Sequence, residues 1–106
     1  MNSKFDLSGN NALITGAAGL LGREHAKAIL EHGGAVVLTD VDKEGIEALR
    51  ELLVPQYGAQ NIRVQVMDVT AEGSILNVLN ALMSDRIHIS ILINNAAIDP
   101  KVSDNN

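Results

Sequence analysis

Short apolar runs alternate along the chain with stretches in which apolar residues recur every three or four positions. The runs are rich in Val, Ile and Leu, as buried strands are. They are residues 11–15 (NALIT), 35–40 (AVVLTD), 61–68 (NIRVQVMD) and 89–95 (ISILINN). The other stretches have helical spacing, with apolar faces formed by Gly22, Ala26, Ile29 and Leu30, by Ile46, Leu49 and Leu53, and by Ile75, Val78, Leu79 and Leu82. The pattern predicts four strands connected by three helices.

Capping and turn residues mark the ends of these predicted helices. Thr70 is placed to cap the third helix, because its hydroxyl can accept a hydrogen bond from a free N–H group of the first turn. Glycine and proline in residues 31–35 (EHGGA) and 55–60 (PQYGAQ) mark the boundaries after the first two helices. We therefore expect turns in both places, with Tyr57 in the second.

The alternation of strands and helices predicts an α/β fold with a parallel sheet and helices on both faces. Three of the strands are almost continuously apolar, which is typical of strands covered on both sides. The third strand instead alternates Ile62, Val64 and Val66 with polar residues, as expected at a sheet edge. We therefore predict a doubly wound sheet of strand order 3-2-1-4, with its topological switch point between strands one and four.

Composition and charge narrow the class of protein. The chain has 106 residues, of which 46% are hydrophobic and 20% charged, which predicts one globular domain over residues 1–106. A net charge of −5 argues against a nucleic-acid partner, and the lack of cysteine excludes disulfides and thiolate chemistry. No apolar run has the length of a signal peptide or a membrane span, so a cytoplasmic protein without a membrane partner is expected. His32 and His88 have no second ligand at metal spacing, and no metal site is predicted.

Three glycines lie where the first strand leads into the first helix. Gly16, Gly19 and Gly22 are spaced G-x-x-G-x-x-G. Gly16 would permit a tight turn, Gly19 would let a ligand approach the backbone, and Gly22 would let the helix pack closely. The free N–H groups at the start of that helix favour a phosphate. The alternative is a turn that uses glycine only for its geometry.

An acidic residue at the end of the second predicted strand favours dinucleotide binding over that alternative. Asp40 stands where a carboxylate that binds ribose hydroxyls is expected. Its charge would repel the 2′-phosphate of NADP, and no Lys or Arg occupies Ala17, Ala18 or Val41 to offset it. We therefore expect NAD to be preferred over NADP.

Three motifs at strand ends together resemble the short-chain dehydrogenases/reductases. They are TGAAGLLG (15–22), DVT (68–70) and NNAA (94–97), and the resemblance runs from about Ser8 to the end of the chain. It implies a Rossmann-type fold and hydride transfer between a nicotinamide cofactor and an alcohol or carbonyl substrate. The glycine spacing is similar to that of the family's extended branch. The other two motifs are similar to the shorter branch, whose usual form is N-N-A-G, so both branches stay open.

The resemblance also implies roles for single residues. The loop 16–21 would hold the pyrophosphate, Asp40 the adenosine ribose and Asp68 the adenine amino group, whereas Asn94 would tie strands together. Singly, Asp40 or Asp68 could be a solvated strand end, and their joint placement with the other motifs favours binding. The expected cofactor-binding residues are Gly16, Ala18, Gly19, Leu20, Leu21, Asp40, Asp68, Val69, Asn95, Ala96 and Ala97.

The family's catalytic set, a serine followed by Tyr-x-x-x-Lys, has no counterpart in this sequence. Tyr57 is the only tyrosine, and Asn61 stands where the lysine would be. One-domain α/β enzymes run to about 250 residues. We therefore expect the sequence to be the nucleotide-binding N-terminal part of an enzyme, truncated after strand four. We expect that part to be inactive alone, and the complete enzyme to be a homo-oligomer.

Two other function classes compete with this interpretation. A stand-alone dinucleotide-binding or sensing module would have the same motifs and would never have had catalytic residues. A phospho-receiver domain, with Asp68 as phosphoacceptor, is similar in size and winding. It needs acidic residues after strand one to bind magnesium. Thr15 and Gly16 stand there, so the receiver hypothesis is set aside.

Overall fold

The computed structural model describes residues 5–96, and over this range it confirms the alternating strands and helices. The strands are β1 (Asn11–Thr15), β2 (Ala35–Asp40), β3 (Ile62–Val66) and β4 (Ile89–Asn94). The helices are α1 (Leu20–Glu31), α2 (Lys43–Tyr57) and α3 (Glu72–Ser84), with a short 3₁₀ helix (Ala59–Asn61) before β3. No helix in this range combines the length and hydropathy needed to cross a membrane.

The four strands form one parallel sheet of order β3-β2-β1-β4, as predicted. Leu13 of β1 pairs with Val37 on one side and Leu92 on the other, which fixes the register of the centre of the sheet. Because all strands point the same way, their carboxyl ends lie along one edge. From β1 the chain adds β2 and β3 on one side of the sheet and then β4 on the other. The topological switch point therefore lies between β1 and β4, and ligands bind at this point in folds of this type.

Helices cover both faces of the sheet, which confirms the doubly wound architecture. On one face, α1 and α2 pack on the strands through Ala12, Ala26, Ile29, Leu30, Ile14, Val36, Leu38, Ile46, Leu49, Leu53 and Ile62. On the other, α3 packs through Leu13, Val37, Met67, Val78 and Leu82. The predicted apolar faces of α1 and α2 are buried throughout, whereas in α3 only Val78 and Leu82 are fully buried.

The predicted cap of α3 is wrong. Ala71 precedes the helix and no side chain caps it, while the Thr70 hydroxyl donates instead to Asp68 Oδ1 at 2.6 Å. Thr70 reaches this carboxylate because the two residues form a tight turn before the helix begins. A second hydroxyl, that of Ser74 in the first turn, accepts a hydrogen bond from the Asp68 N–H.

The predicted turn after α2 begins later than expected. The helix continues through Pro55 and ends at Tyr57, which is therefore helical. Gly58 follows with φ 92°, a left-handed conformation that suits glycine, and donates to the Val54 carbonyl. Proline near the end of a helix removes one hydrogen bond without stopping the last turn from forming.

Within residues 5–96, the fourth strand is not covered on both sides, although its apolar sequence is typical of a strand that is. Ile91 and Ile93 pack on the α1–α2 side, but Leu92 is 67% exposed on the α3 side. Within residues 5–96, α3 lies over Leu13 and Val37 and leaves Leu92 uncovered. Continuous hydrophobicity in β4 therefore predicted its position in the sheet but not its exposure.

Candidate functional site

A cavity of about 340 Å³ lies at the carboxyl ends of the strands, beside the topological switch point between β1 and β4. Each loop that follows a strand contributes to its wall. The lining residues are Gly16, Gly19, Asp40, Val41, Met67, Asp68, Val69, Thr70, Asn95 and Ala96. The sequence motifs after β1, β2, β3 and β4 thus converge on one site.

The three glycines of the β1–α1 turn have different surroundings. Gly16 has φ 63°, and a Cβ there would lie 2.8 Å from the Ala96 nitrogen. A Cβ on Gly22 would lie 2.6 Å from Ala17 Cα, so the helix packs tightly on its own turn. A Cβ on Gly19 would meet only the Gly16 oxygen, at 3.5 Å. The fold therefore requires Gly16 and Gly22, whereas the space beside Gly19 opens to the cavity.

The start of α1 lies beside this turn and has no side-chain cap. Gly19 is the N-cap, and the first turn contains no acidic residue. The first N–H groups of a helix have no partner within the helix, and together with the helix dipole they attract an anion. Leu20 and Leu21 are 76% and 65% exposed there. This end of the cavity suits a phosphate group approached through the backbone.

Asp40 joins two of the loops around the cavity. Its Oδ2 accepts a hydrogen bond from the Ala18 N–H at 3.0 Å, and its Oδ1 accepts one from the Asp42 N–H at 3.0 Å. Each carboxylate oxygen can accept a second hydrogen bond. The carboxylate is therefore fixed in position and can still accept from hydroxyl groups of a ligand.

Asp68 is held by its neighbour Thr70. The Thr70 hydroxyl and N–H both donate to Asp68 Oδ1, at 2.6 Å and 2.9 Å. These bonds, that from the hydroxyl above all, hold the pKa of the Asp68 carboxyl below its ordinary value of 3.8. Oδ2 takes part in neither bond, so an ionised acceptor is available on the β3 side of the cavity.

The loop after β4 is tied to the end of β1. The Thr15 hydroxyl donates to Asn94 Oδ1 at 2.7 Å and accepts from the Ala96 N–H at 3.1 Å. Asn94 therefore joins the two strands, as the resemblance implied. The Asn95 N–H also donates to the Thr15 carbonyl, at 3.3 Å. These contacts fix Asn95 and Ala96 against the glycine turn.

The structure brings most of the predicted site residues to this cavity. Gly16, Gly19, Asp40, Asp68, Val69, Asn95 and Ala96 line it. Ala18 takes part through its N–H, Leu20 and Leu21 lie at the start of α1, and Ala97 lies outside the described residues.

Sequence reasoning did not assign Val41, Met67 and Thr70 to the site, although all three line the cavity. Val41 follows Asp40 and Met67 precedes Asp68, and that adjacency was the available signal for both residues; for Thr70 the signal was its place in the motif DVT (68–70). Tyr57 lies elsewhere: its hydroxyl donates to Glu31, the last residue of α1, whereas the cavity lies at the first. The twelve residues of α1 span about 18 Å.

The charges around the cavity are unevenly distributed. Asp40 and Asp68 are part of its wall, and none of the lining residues between 16 and 96 is Lys or Arg. The carboxylates favour neutral hydrogen-bond donors such as hydroxyl and amino groups, and they disfavour a phosphate close by. Around the described part of the cavity, the uncapped start of α1 is a favourable place for phosphate. Within residues 5–96, no group of three or more His, Asp or Glu side chains is arranged to hold a metal ion.

Comparison with known proteins identifies the family. A family model described as short chain dehydrogenase matches residues 10–106. The chain belongs to the short-chain dehydrogenases. It is 35% identical over 92 residues to the short chain dehydrogenase/reductase dpfgG of Gibberella zeae, covering 87% of this chain and 33% of that protein. It is 33% identical over 96 residues to gluconate 5-dehydrogenase of Gluconobacter oxydans, covering 89% and 36%.

Solved structures of this family have the same fold. The Pseudomonas aeruginosa RhlG/NADP active-site complex matches with a TM-score of 0.82 at 28% identity, over 96% of this chain and 40% of that one. A Brucella melitensis short-chain dehydrogenase/reductase matches with a TM-score of 0.75 at 27% identity, over 85% and 37%. The chain thus spans about a third of the length of the curated relatives it matches.

Proposed function

We propose that residues 1–106 form the adenosine- and pyrophosphate-binding part of an NAD-dependent short-chain dehydrogenase that acts on an alcohol or carbonyl substrate. The observation that carries the proposal is the convergence of the glycine turn, two fixed carboxylates and the β4 loop on one cavity. The cofactor, when bound, supplies or accepts the hydride. The chain's own residues bind and orient it.

The chemistry of the cavity fits a dinucleotide. The free N–H groups at the start of α1 would bind the pyrophosphate, and Gly19 leaves room for its approach. Asp40 would accept from the adenosine ribose hydroxyls, and Asp68 from the adenine amino group. Val69, Asn95 and the adjoining Ala96 and Ala97 would line the cofactor. The homo-oligomeric state of the whole protein and its cytoplasmic location are parts of the same proposal.

Asp40 supports NAD as the preferred cofactor. A 2′-phosphate on the adenosine ribose would stand beside this carboxylate, and the described residues of the cavity wall include no Lys or Arg to offset the repulsion. A repulsion of about 1.4 kcal/mol corresponds to a tenfold difference in affinity. We therefore expect the protein to bind NAD at least about tenfold more tightly than NADP.

Calorimetric titration of the full chain with each cofactor measures this preference. Asp40→Asn removes the charge but keeps an oxygen acceptor, and it is expected to reduce the preference for NAD to less than about threefold. Glu44→Gln is the matched control, because it removes one negative charge from the exposed start of α2 without changing the cavity wall. Equal affinity for the two cofactors, or tighter binding of NADP, would contradict the role of Asp40.

The 106-residue chain by itself is expected to bind cofactor without turning over any alcohol or carbonyl substrate. Positioned acid–base groups and a substrate site provide most of the rate in such reactions. Tyr57 lies at the far end of α1 from the cavity and is not placed to supply a proton. NADH absorbance with the purified chain measures turnover. Turnover that Tyr57→Phe abolishes would show that this tyrosine is catalytic after all.

The alternative function is a non-catalytic dinucleotide-binding or sensing module. One observation on the described residues supports this module: the cavity wall between residues 16 and 96 includes no Tyr, Lys or His that could transfer a proton. Turnover by the whole protein would exclude the module, whereas tight cofactor binding without turnover in the whole protein would support it.

A further inference from the structure

One histidine touches the cofactor site from within a helix. His25 of α1 is half-buried, and its Nδ1 lies 2.9 Å from Nδ2 of Asn95, which lines the cavity. The amide nitrogen of asparagine can only donate, so the imidazole nitrogen must accept. The neutral ring therefore carries its proton on Nε2. This contact joins α1 to the loop after β4, across 70 positions of the sequence.

Both the backbone and the side chain of Asn95 contact other described parts of the chain. Its N–H donates to the Thr15 carbonyl, and its carbonyl carbon is so close to Gly16 that a Cβ there would lie 3.0 Å away. The backbone of Asn95 is thus fixed by β1 and the glycine turn. Within residues 5–96, the contact that fixes the amide group at the end of its side chain is the one with His25.

We propose that His25 is a positioning residue that fixes the orientation of the Asn95 amide at the cofactor site, and that protonation of its imidazole turns this amide over and weakens cofactor binding. The inference rests on the proposed dinucleotide function. The imidazolium ion is a donor at both nitrogens, so it cannot accept from Asn95 Nδ2. Asn95 must then turn its amide over so that its Oδ1 accepts from the Nδ1–H, which changes the contact that holds this residue of the cavity wall.

Among the described residues, no ion pair of His25 compensates for this change. The residues one turn away from His25 on α1 are Leu21, Gly22, Ala28 and Ile29, which are all uncharged. From the end of β4 the ring faces the neutral Asn95. Across residues 5–96, no carboxylate lies within ion-pair distance of the ring. Protonation therefore acts on the Asn95 contact itself.

Titration of the full chain with NADH, followed by fluorescence between about pH 8 and about pH 5.5, tests the proposal, because imidazoles gain a proton over this range. The dissociation constant is expected to rise by about fivefold as pH falls, the size of effect that one hydrogen bond has. His25→Gln keeps an amide acceptor that does not titrate, so its affinity is expected to be independent of pH. His25→Leu is expected to bind weakly at every pH.

His88→Gln is the matched control, since His88 lies at the opposite end of β4 from the cavity. It is expected to keep the pH dependence of the wild type. A wild-type affinity that does not change with pH would overturn the proposal. A pH dependence that persists in His25→Gln would overturn it as well.

A second measurement does not depend on cofactor binding. In the ligand-free chain, the side-chain amide resonances of Asn95 are expected to shift with the same midpoint as the ring protons of His25, and this shift is expected to be absent in His25→Gln. An Asn95 amide that does not respond to the titration of His25 would overturn the positioning role. Failure of NADH to bind at any pH would contradict the proposed function instead, and the amide shift would still decide the role of His25.

Discussion

The polar residues around the cavity each bind another part of the same chain. Asp40 accepts from the loops after β1 and β2, and Thr15 joins the ends of β1 and β4. A side chain fixed in this way loses little rotamer freedom when a ligand binds. The site therefore has its carboxylates and amides in place through the fold itself.

The first prediction at the residue scale concerns the pKa of Asp68. Thr70→Val removes the hydroxyl donor that lowers this pKa most, so the pKa is expected to rise toward 3.8. Because the folded pKa is depressed, the contact stabilises the fold above the unfolded-state pKa, and the stabilisation is lost as pH falls through the folded pKa. Carbon NMR of the Asp68 carboxyl measures the shift. Thr70→Ser keeps the donor and is expected to leave the pKa low; an unchanged pKa in Thr70→Val would contradict this account.

The sequence predicted where these polar residues stand but not which atoms they bind. Asp40 was predicted at the site because it ends a strand of a parallel sheet, and Asp68 through the resemblance that the motif DVT (68–70) carries. Thr70 was predicted to cap α3, yet its hydroxyl binds Asp68. A threonine beside a helix start can donate to a local carboxylate or accept from the helix, and only the backbone geometry decides between the two.

At the scale of elements, α1 is positioned by its contact with the turn that precedes it. A Cβ on Gly22 would lie 2.6 Å from both Ala17 Cα and the Gly16 oxygen. These are backbone atoms, which cannot move aside as a flexible side chain can. The close packing fixes the start of the helix beside the cavity, whose wall includes the N-cap Gly19, so the helix position and the proposed phosphate site depend on the same glycine.

Two glycine-to-alanine substitutions in helices are expected to have opposite effects on stability. Gly22→Ala forces a backbone clash and is expected to lower the free energy of unfolding by about 1–3 kcal/mol. Gly73→Ala in α3 places a methyl group in open space and is expected to raise it by about 0.5–1 kcal/mol, because alanine favours the helix. Urea denaturation of both variants measures the difference. A Gly22→Ala variant as stable as Gly73→Ala would show that α1 does not need this close approach.

Element types and buried faces could be predicted from periodicity, whereas some boundaries and exposures could not. The faces of α1 and α2 follow helical spacing because each helix packs on one side of the sheet. The end of α2 depends on Gly58 in the left-handed region, which Pro55 and Tyr57 obscured in the sequence. The exposure of Leu92 depends on what α3 covers, which is a tertiary property with no local signal.

At the scale of the whole molecule, one face of the described chain is incompletely covered. A groove of about 420 Å³ runs between α3 and β4, and Leu79 and Leu92 in its wall are exposed. Over residues 5–96, β4 pairs with β1 on one side only. An apolar strand with free N–H and C=O groups along one edge is a template for pairing with another chain.

The 106-residue chain by itself is therefore expected to self-associate, and Leu92→Lys is expected to reduce this association. Leu92 is 67% exposed, so a lysine there adds charge to the open strand without removing packed apolar surface. Ile91→Lys is the comparison variant on the same strand. Ile91 packs against the α1–α2 core, so its replacement is expected to lower stability as well as add charge. Light scattering at matched concentrations, together with thermal unfolding, separates the two effects. A wild-type chain that is monodisperse and unfolds cooperatively would contradict the prediction and favour a self-sufficient binding module.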